Sequence, residues 1–279
     1  MIEHGQYNEL VVKSKSKIGL YLGDGGEDVL LPIRYAPENI SVGDRLDVFV
    51  YLDNENRPIA TTMKPLALVG EFAFLTVKEM NEFGAFLDWG IDKDLFVPYS
   101  EQRIEMKTGN QYLVFVFIDE RSGRIAATSK WKQHINEDNS DLKEGDEVEL
   151  IIADKTDLGY KAIINQKHEG LLYQNEIFEP LQSGEIKRGY IKLVREDGKI
   201  DLSLQQQGYE HIEDLKSVLL HQLKKSGGVL ALGDKSSPDE IYSKLKISKK
   251  AFKKTIGGLF KERLITINDH EIVLLQSGD

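Results

Sequence analysis

The sequence contains no cysteine, which excludes disulfides, thiolate-bound zinc, iron–sulfur clusters and a thiol nucleophile, and suits a reducing compartment. No run approaches the roughly 18 apolar residues of a membrane-spanning helix. Residues 1–7 offer no basic stretch leading into an apolar one, so no secretory leader is expected. A cytoplasmic protein with no membrane partner is the expectation. The six histidines form no tight ligand motif such as His-Glu-x-x-His, and no phosphate-loop or dinucleotide fingerprint occurs. Gly23-Asp24-Gly25-Gly26 lies between short strands and reads as a hairpin turn. His168-Glu169 reads as a polar turn, and Asp88, Asp92 and Asp94 read as a charged loop rather than a Mg²⁺ cluster. Neither a metal, nor a cofactor, nor catalysis is expected.

What is present is folded material: 41% hydrophobic and 29% charged residues, with 11 Phe and 11 Tyr beside only 2 Trp. The formal charge is -10, which argues against bulk affinity for duplex DNA. The charge is uneven. Residues 211–279 hold 12 Lys and Arg against 9 Asp and Glu, leaving 24 against 37 in the first 210. A basic tail follows an acidic body.

Three segments repeat one order of features. Ile18-Gly19-Leu20-Tyr21-Leu22, Phe83-Gly84-Ala85-Phe86-Leu87 and Leu158-Gly159-Tyr160-Lys161-Ala162 each open an alternating strand after an apolar residue and a glycine. Later strands follow Gly43-Asp44 and Gly109-Asn110 in the first two copies. The copies close through turns at Asp53-Asn54-Glu55-Asn56-Arg57, Glu120-Arg121-Ser122-Gly123 and Arg195 to Lys199. Short, β-branched and aromatic strands in units of about 55–65 residues predict small barrels, because a sheet of this size must curl on itself to bury a core. The expected domains are residues 1–64, 65–132 and 143–207, with residues 133–143 as a linker or loose helix.

After Gln205 the period becomes helical. Leu215, Val218, Leu219 and Leu223 mark a first helix ended by Gly227-Gly228. Ser237-Pro238 opens a second with Ile241 and Leu245. Ser248 caps a third with Phe252, Ile256, Leu259 and Phe260 on its buried side. Gly257-Gly258 inside it implies either a closely packed neighbour or a break. Residues 264–267 and 271–275 read as a hairpin. Three helices and a hairpin over residues 211–279 are the winged-helix plan. The fold class is thus mainly β, three barrels followed by a C-terminal α/β winged-helix domain.

The second repeat carries the strongest binding pattern. Alternation turns Ala85 and Leu87 inward and Phe86 and Asp88 outward, with Phe83 near the same surface. Two exposed aromatics form a stacking platform for unpaired bases. Asp119 and Arg124 flank the last hairpin, where a cation meets a phosphate or base and a carboxylate orients it. The competing reading puts Phe83 and Phe86 in the core or an inter-module contact. The first repeat places Tyr21, Asp53 and Arg57 at matching points, near Lys13, Lys15 and Lys17. The third places Lys161, Tyr173 and Lys199 there, favouring cationic contact. In the tail, Lys249, Lys250, Lys253 and Lys254 line one side of the third helix, beside Lys244, Lys246, Lys261 and Arg263. That face suits phosphates, or simply solvates the helix.

The residues Phe83 to Asp88, Leu95 to Ser100 and Asp119 through Arg124 to Ser129 resemble the ribosomal protein S1 RNA-binding domain, an OB-fold. The resemblance implies an RNA face at Phe83, Phe86, Asp119 and Arg124, with Pro98 where the family has histidine. The other copies match at Tyr21, Asp53 and Arg57, and at Tyr173 and Lys199. The whole order, three S1-like modules then a winged helix, resembles the conserved virulence factor B family of bacterial proteins. That implies a cytoplasmic single-stranded-RNA binder regulating virulence-factor or other gene expression. The alternatives are a protein scaffold on a ribosome or RNA-processing assembly and, with less support, a winged-helix DNA-binding regulator.

Overall fold

The computed structural model describes residues 2–53, 55–177, 180–205, 209–245 and 247–275. Asn54 of the first turn, Gln206 and Gln207 of the third module, and Lys246 of the lysine face lie outside them. The chain forms two compact units that divide between Ile135 and Asn136, within the expected linker.

The first unit begins with β1 (Gln6–Lys15), β2 (Gly19–Gly23), β3 (Asp28–Pro32), β4 (Arg45–Leu52) and β5 (Pro58–Thr61). They close into a barrel ordered β1-β2-β3-β5-β4. Leu10, Val12, Leu20, Leu22, Val29, Leu31, Val48, Val50 and Ala60 fill it, as period-2 alternation requires. The parallel β3–β5 seam is a single register pair, Leu30 with Ile59. The Gly23–Gly26 stretch is the turn of the β2–β3 hairpin.

The second module comprises β6 (Phe72–Met80), β7 (Gly84–Leu87), β8 (Leu95–Pro98), β9 (Gln111–Ile118) and β10 (Ile125–Thr128). Its order, β10-β9-β6-β7-β8, is the same, but the sheet stays open between β8 and β10. Of the three barrels expected, this one forms a five-stranded sheet whose closing seam is not paired. Both edge strands have only four residues, and this seam is already the weakest in the first barrel. The two edges are nonetheless packed: Leu95 and Val97 of β8 and Ala127 and Thr128 of β10 are buried.

The second unit opens with β11 (Glu147–Thr156), β12 (Gly159–Ile164), β13 (His168–Tyr173), β14 (Ile186–Val194) and β15 (Ile200–Ser203), a closed barrel whose parallel seam has three register pairs. In all three modules the long first strand is interrupted by a register shift, at Val12/Ser14, Val77/Glu79 and Ile152/Lys155. Such bulges add the twist that a small sheet needs to curl.

The glycine opening each second strand has one cause. A Cβ on Gly19, Gly84 or Gly159 would sit 2.0, 2.3 or 2.0 Å from the carbonyl oxygen of Leu31, Val97 or Leu172 on the next strand. The three repeats therefore superimpose in register. The preceding Ile18, Phe83 and Leu158 are 58%, 65% and 62% exposed, so each module presents an apolar residue at the same point of its surface.

His168 is not in a polar loop, as expected, but begins β13, is buried, and contacts the Asn136 carbonyl oxygen at 3.1 Å and Asp141 at 3.1 Å. It ties the segment preceding β11 to the barrel.

The tail folds into α1 (Tyr209–Lys225), β16 (Val229–Leu230), α2 (Pro238–Leu245), α3 (Lys249–Lys261), β17 (Ile265–Ile267) and β18 (Ile272–Leu274). The hairpin gains a third strand, in the order β16-β18-β17. Ser237 and Glu240 form a reciprocal capping box at the start of α2, at 2.7 and 3.2 Å. The Ser248 side chain caps α3 by accepting from the Ala251 amide. Leu219, Leu223, Phe252, Ile256 and Leu259 form the core with Ile265 and Ile272. Val218 and Phe260, expected inside, are 53% and 54% exposed. At about 100° per residue Phe260 falls roughly 80° from Phe252, on the rim of the apolar stripe, and Val218 sits similarly beside Leu219. Among the described residues, no helix is long and apolar enough to cross a membrane.

Helix α3 runs unbroken through both glycines. A Cβ on Gly258 would meet Lys216 Cε of α1 at 2.4 Å, whereas one on Gly257 meets nothing. The buried Lys216 stem crosses Gly258 to pair with Glu262 at 2.5 Å. Gly257→Ala should therefore stabilise the winged-helix domain by about 1 kcal/mol, and Gly258→Ala should destabilise it by displacing Lys216. Thermal melts of the two variants read this directly, and an equal response from both would contradict it.

Candidate nucleic-acid interface

The first two modules share a hydrophobic cluster besides their own interiors. β4 is buried on both faces: Val48 and Val50 point into the first barrel, while Phe49 and Tyr51 point out and join Trp89, Ala67, Met106 and Ile91 of the second module. Trp89 is the plug. Its ring meets Phe49 edge-on at 5.4 Å and Tyr51 at 6.4 Å, and its indole donates to the Ala67 carbonyl at 2.8 Å.

The loop following β7, read from sequence as merely charged, is a clasp on the first module. Asp92 pairs with Arg34 at 2.9 Å and accepts from the Tyr35 hydroxyl, which burial and Asp92 together push up to about 12. Lys93 donates to the Leu52 and Asp53 carbonyls at 2.6 and 3.3 Å. Asp94 turns back to Lys78 at 2.7 Å. Asp92 and Lys93 therefore join the modules, while Asp94 fixes the loop to β6.

Above the plug lies a cavity of about 840 Å³. Four residues singled out in the second repeat, Phe83, Phe86, Asp119 and Arg124, all line it, together with Asp53 of the first. Phe83 is exposed and Phe86 half-buried. An Asn81 side chain shapes the turn beneath Phe83, accepting from the Phe83 and Gly84 amides at 2.8 and 3.2 Å. Phe86 lies 5.1 Å from Phe96, tilted by 39°. Phe96 was missed in the sequence. Its signal was its place on β8 directly opposite Phe86 in register. Both competing readings of the aromatics hold a part of the result: Phe83 is a surface residue, while Phe86 borders the junction.

Asp119 Oδ1 accepts from the Arg121 and Ser122 amides at 3.0 and 2.7 Å and from the Ser122 hydroxyl. The Ser122 amide and hydroxyl, followed by Arg121, hold its carboxyl below the usual range, so it stays an acceptor. Arg124 does not pair with Asp119; its Nε donates to Asn56 Oδ1 of the first module at 2.7 Å. Asp53 is bound to Arg57 through two contacts, at 2.9 and 2.7 Å, and Arg57 also meets Glu55. Burial works to raise the Asp53 carboxyl, but hydrogen bonds from Arg57 and Glu55 outweigh it and keep it low. The Asp53–Arg57 pair thus braces its hairpin. Tyr21 is half-buried on β2 and does not line the cavity.

In the third module Lys161 pairs with Glu169 at 2.5 Å and Lys199 with Asp197 at 2.6 Å. Tyr173 instead has two cations near its ring, Lys192 and Arg195 each 5.9 Å from its centre. Arg195 is held by Asp201 and the Tyr173 hydroxyl. On α3, Lys250, Lys253 and Lys254 are exposed and Lys249 half-buried. Lys253 pairs with Asp234 at 3.0 Å.

On the outer face of β9, His134 stacks on Phe115 at 4.1 Å. Burial lowers its basicity, only partly opposed by Glu101. A histidine depressed on folding contributes stability that is complete above its ordinary value of about 6.5. That contribution disappears as pH falls through the lower folded value. Acid should therefore weaken the first unit, and His134→Phe should flatten that part of the pH–stability profile. Identical slopes for the two proteins would refute it.

An S1 domain family model matches residues 4–63 and 69–130, the first and second modules, and a CvfB-like winged helix domain model matches residues 217–274. The chain is 27% identical over 271 residues to the protein YitL of Bacillus subtilis, covering 92% of this chain and 89% of that one. It is 26% identical over 277 residues to conserved virulence factor B of Staphylococcus epidermidis, covering 96% and 93%. A crystal structure of a multidomain protein with nucleic acid binding domains from Streptococcus pneumoniae aligns over 98% of both chains at 22% identity with a TM-score of 0.42. S1 modules and a winged helix both suggest nucleic-acid binding. Two S1 matches in the first unit, a CvfB-like winged helix at the other end and curated relatives along nearly the whole chain lead to one assignment: the protein belongs to the CvfB family.

Proposed function

We propose that this protein binds single-stranded RNA without catalysing a reaction on it, as a post-transcriptional regulator of gene expression. One observation carries the reading: exposed Phe83 and the half-buried Phe86–Phe96 pair share a cavity with Asp119 and Arg124. Aromatic faces suit any unpaired base, a guanidinium suits phosphate, and a carboxylate held ionised accepts from base amino or imino groups. A duplex hides the base faces such a platform needs. Lys250 and Lys254 enter no ion pair among the described residues, so α3 offers a second phosphate-binding face on the same chain, and linkage of two weak sites raises overall affinity. Its lysines carry little base-edge chemistry, which supports backbone contact over duplex reading.

The test is titration of the intact protein into labelled single-stranded RNA, matched single-stranded DNA and duplex DNA at two salt concentrations. Salt-sensitive preference for single-stranded RNA is expected. Absence of RNA binding by folded protein would move the cavity to a protein-docking role, and duplex preference would move the activity to α3.

A further inference from the structure

The seam between the first and second modules holds two cations without a carboxylate partner among the described residues. Lys93, half-buried, is held on main-chain carbonyls of Leu52 and Asp53. Arg124 reaches Asn56 through Nε alone, leaving the ends of its guanidinium fork for another acceptor. Every carboxylate lining the same cavity is engaged. Asp92 holds Arg34, Asp94 holds Lys78, Asp53 holds Arg57, and Asp119 Oδ1 takes the Arg121 and Ser122 amides. Three of the four lining carboxylates thus already face a cation of their own, and only Asp119, whose amide partners leave its charge in place, remains to balance Lys93 and Arg124. Burial, then the field of Arg124, pulls the Lys93 ammonium below its usual range. Two like charges held in a partly desolvated seam are unfavourable until a counter-charge joins them.

The remaining lining is apolar and two-sided. Phe86 and Phe96 form one wall, from the second module; Leu52 and Ile59 form the other, from the first. The volume of about 840 Å³ lies within the roughly 300–1,000 Å³ of pockets that enclose a small organic molecule, enough for one nucleotide of a longer strand.

We propose that this seam is a composite subsite for one nucleotide step of a single strand. A phosphate sits on Lys93 and Arg124, and the adjoining base lies between the Phe86–Phe96 wall and the Leu52–Ile59 wall. This rests on the reading that the second module's face binds single-stranded RNA. It adds Lys93 as a binding residue and makes the first module half of the site. The trinity of Trp89, Asp92 and Lys93 then has a second consequence: the clasp that joins the modules also fixes the width of the slot.

The experiment uses the full-length protein, single-stranded oligouridylate, and a series of salt concentrations. Lys93→Gln should weaken binding roughly ten-fold at low salt and make the log K against log salt plot shallower by about 0.7, the loss of one phosphate contact on a single strand. Lys93→Arg should restore the slope. Lys93→Gln combined with Arg124→Gln should lose less than the two single losses together, because both side chains hold the same phosphate. A purely structural role for Lys93 would lower affinity and melting temperature with the salt slope unchanged, and would overturn the subsite. If oligouridylate binds and depends on Phe86 while Lys93→Gln alters neither affinity nor slope, the composite site falls and the proposed function stands. If the wild type binds no RNA, both fall. Competition by an acidic peptide as effective as the RNA itself would assign the seam to a protein partner and overturn the proposal.

Discussion

Alanine at both Phe83 and Phe86 should weaken single-stranded RNA binding by about 2–6 kcal/mol, from roughly 1–3 kcal/mol per stacked base. The two positions should not respond alike. Phe83 is 65% exposed, so its truncation removes a stacking surface and little else, with a stability change within about 0.5 kcal/mol. Phe86 is half-buried against Phe96, and its truncation also removes the partner that orients the second ring. Phe83→Ala should therefore lower affinity in a protein that melts like the wild type. Phe86→Ala should lower both. Fluorescence titration beside a melting curve for each variant separates the effects. A folded double variant with wild-type RNA affinity would place the binding surface elsewhere, with Tyr173 of the third module and the α3 lysines as the remaining candidates.

The modular plan was legible because each level of the sequence agreed. Strand alternation, the glycine before each second strand and the turn residues all repeat, and the Cβ clash at Gly19, Gly84 and Gly159 explains why the glycine recurs. The second module's surface residues were legible for a related reason: Phe83, Phe86, Asp119 and Arg124 lie at fixed offsets from those same turns. What escaped was everything that depends on one module meeting another. Asp92 with Arg34, Lys93 with Leu52 and Arg124 with Asn56 are separated by 41 to 68 positions in sequence, and no period connects them. One sign was present. Val48-Phe49-Val50-Tyr51 is apolar at four consecutive positions, and a strand without alternation is buried on both faces. The outward half of that run, Phe49 and Tyr51, is the surface on which the second module sits. The open β8–β10 edge was equally invisible, because closure of a four-residue seam turns on one or two hydrogen bonds that composition does not encode.

Trp89→Ala should cost about 3–5 kcal/mol, the range for removing a large buried aromatic, and its consequences should reach both modules of the first unit. The indole is 1% exposed. It packs on Phe49 and Tyr51 of the first module and donates to Ala67, while the Trp89 main-chain carbonyl accepts from the Leu66 amide at 2.8 Å. Trp89→Phe keeps most of the ring but leaves the Ala67 carbonyl unpaired, a loss of about 1–3 kcal/mol. The chain has two tryptophans, so each variant leaves Trp131, buried against Phe72, as the sole indole reporting on the second module. Denaturant titration followed by Trp131 emission should shift to lower midpoint in the order wild type, Trp89→Phe, Trp89→Ala. Amide exchange in β4, whose outer face loses its cover, should quicken in the same order. An unchanged midpoint with unchanged β4 protection would mean that the modules are joined by the Asp92 and Lys93 contacts alone. The alternative outcome ties stability to function. Phe83, Asp119 and Arg124 remain in Trp89→Ala, yet the wall facing them is no longer held in place. RNA affinity that falls with the junction then identifies the slot between modules, rather than the second module's face alone, as the unit that binds.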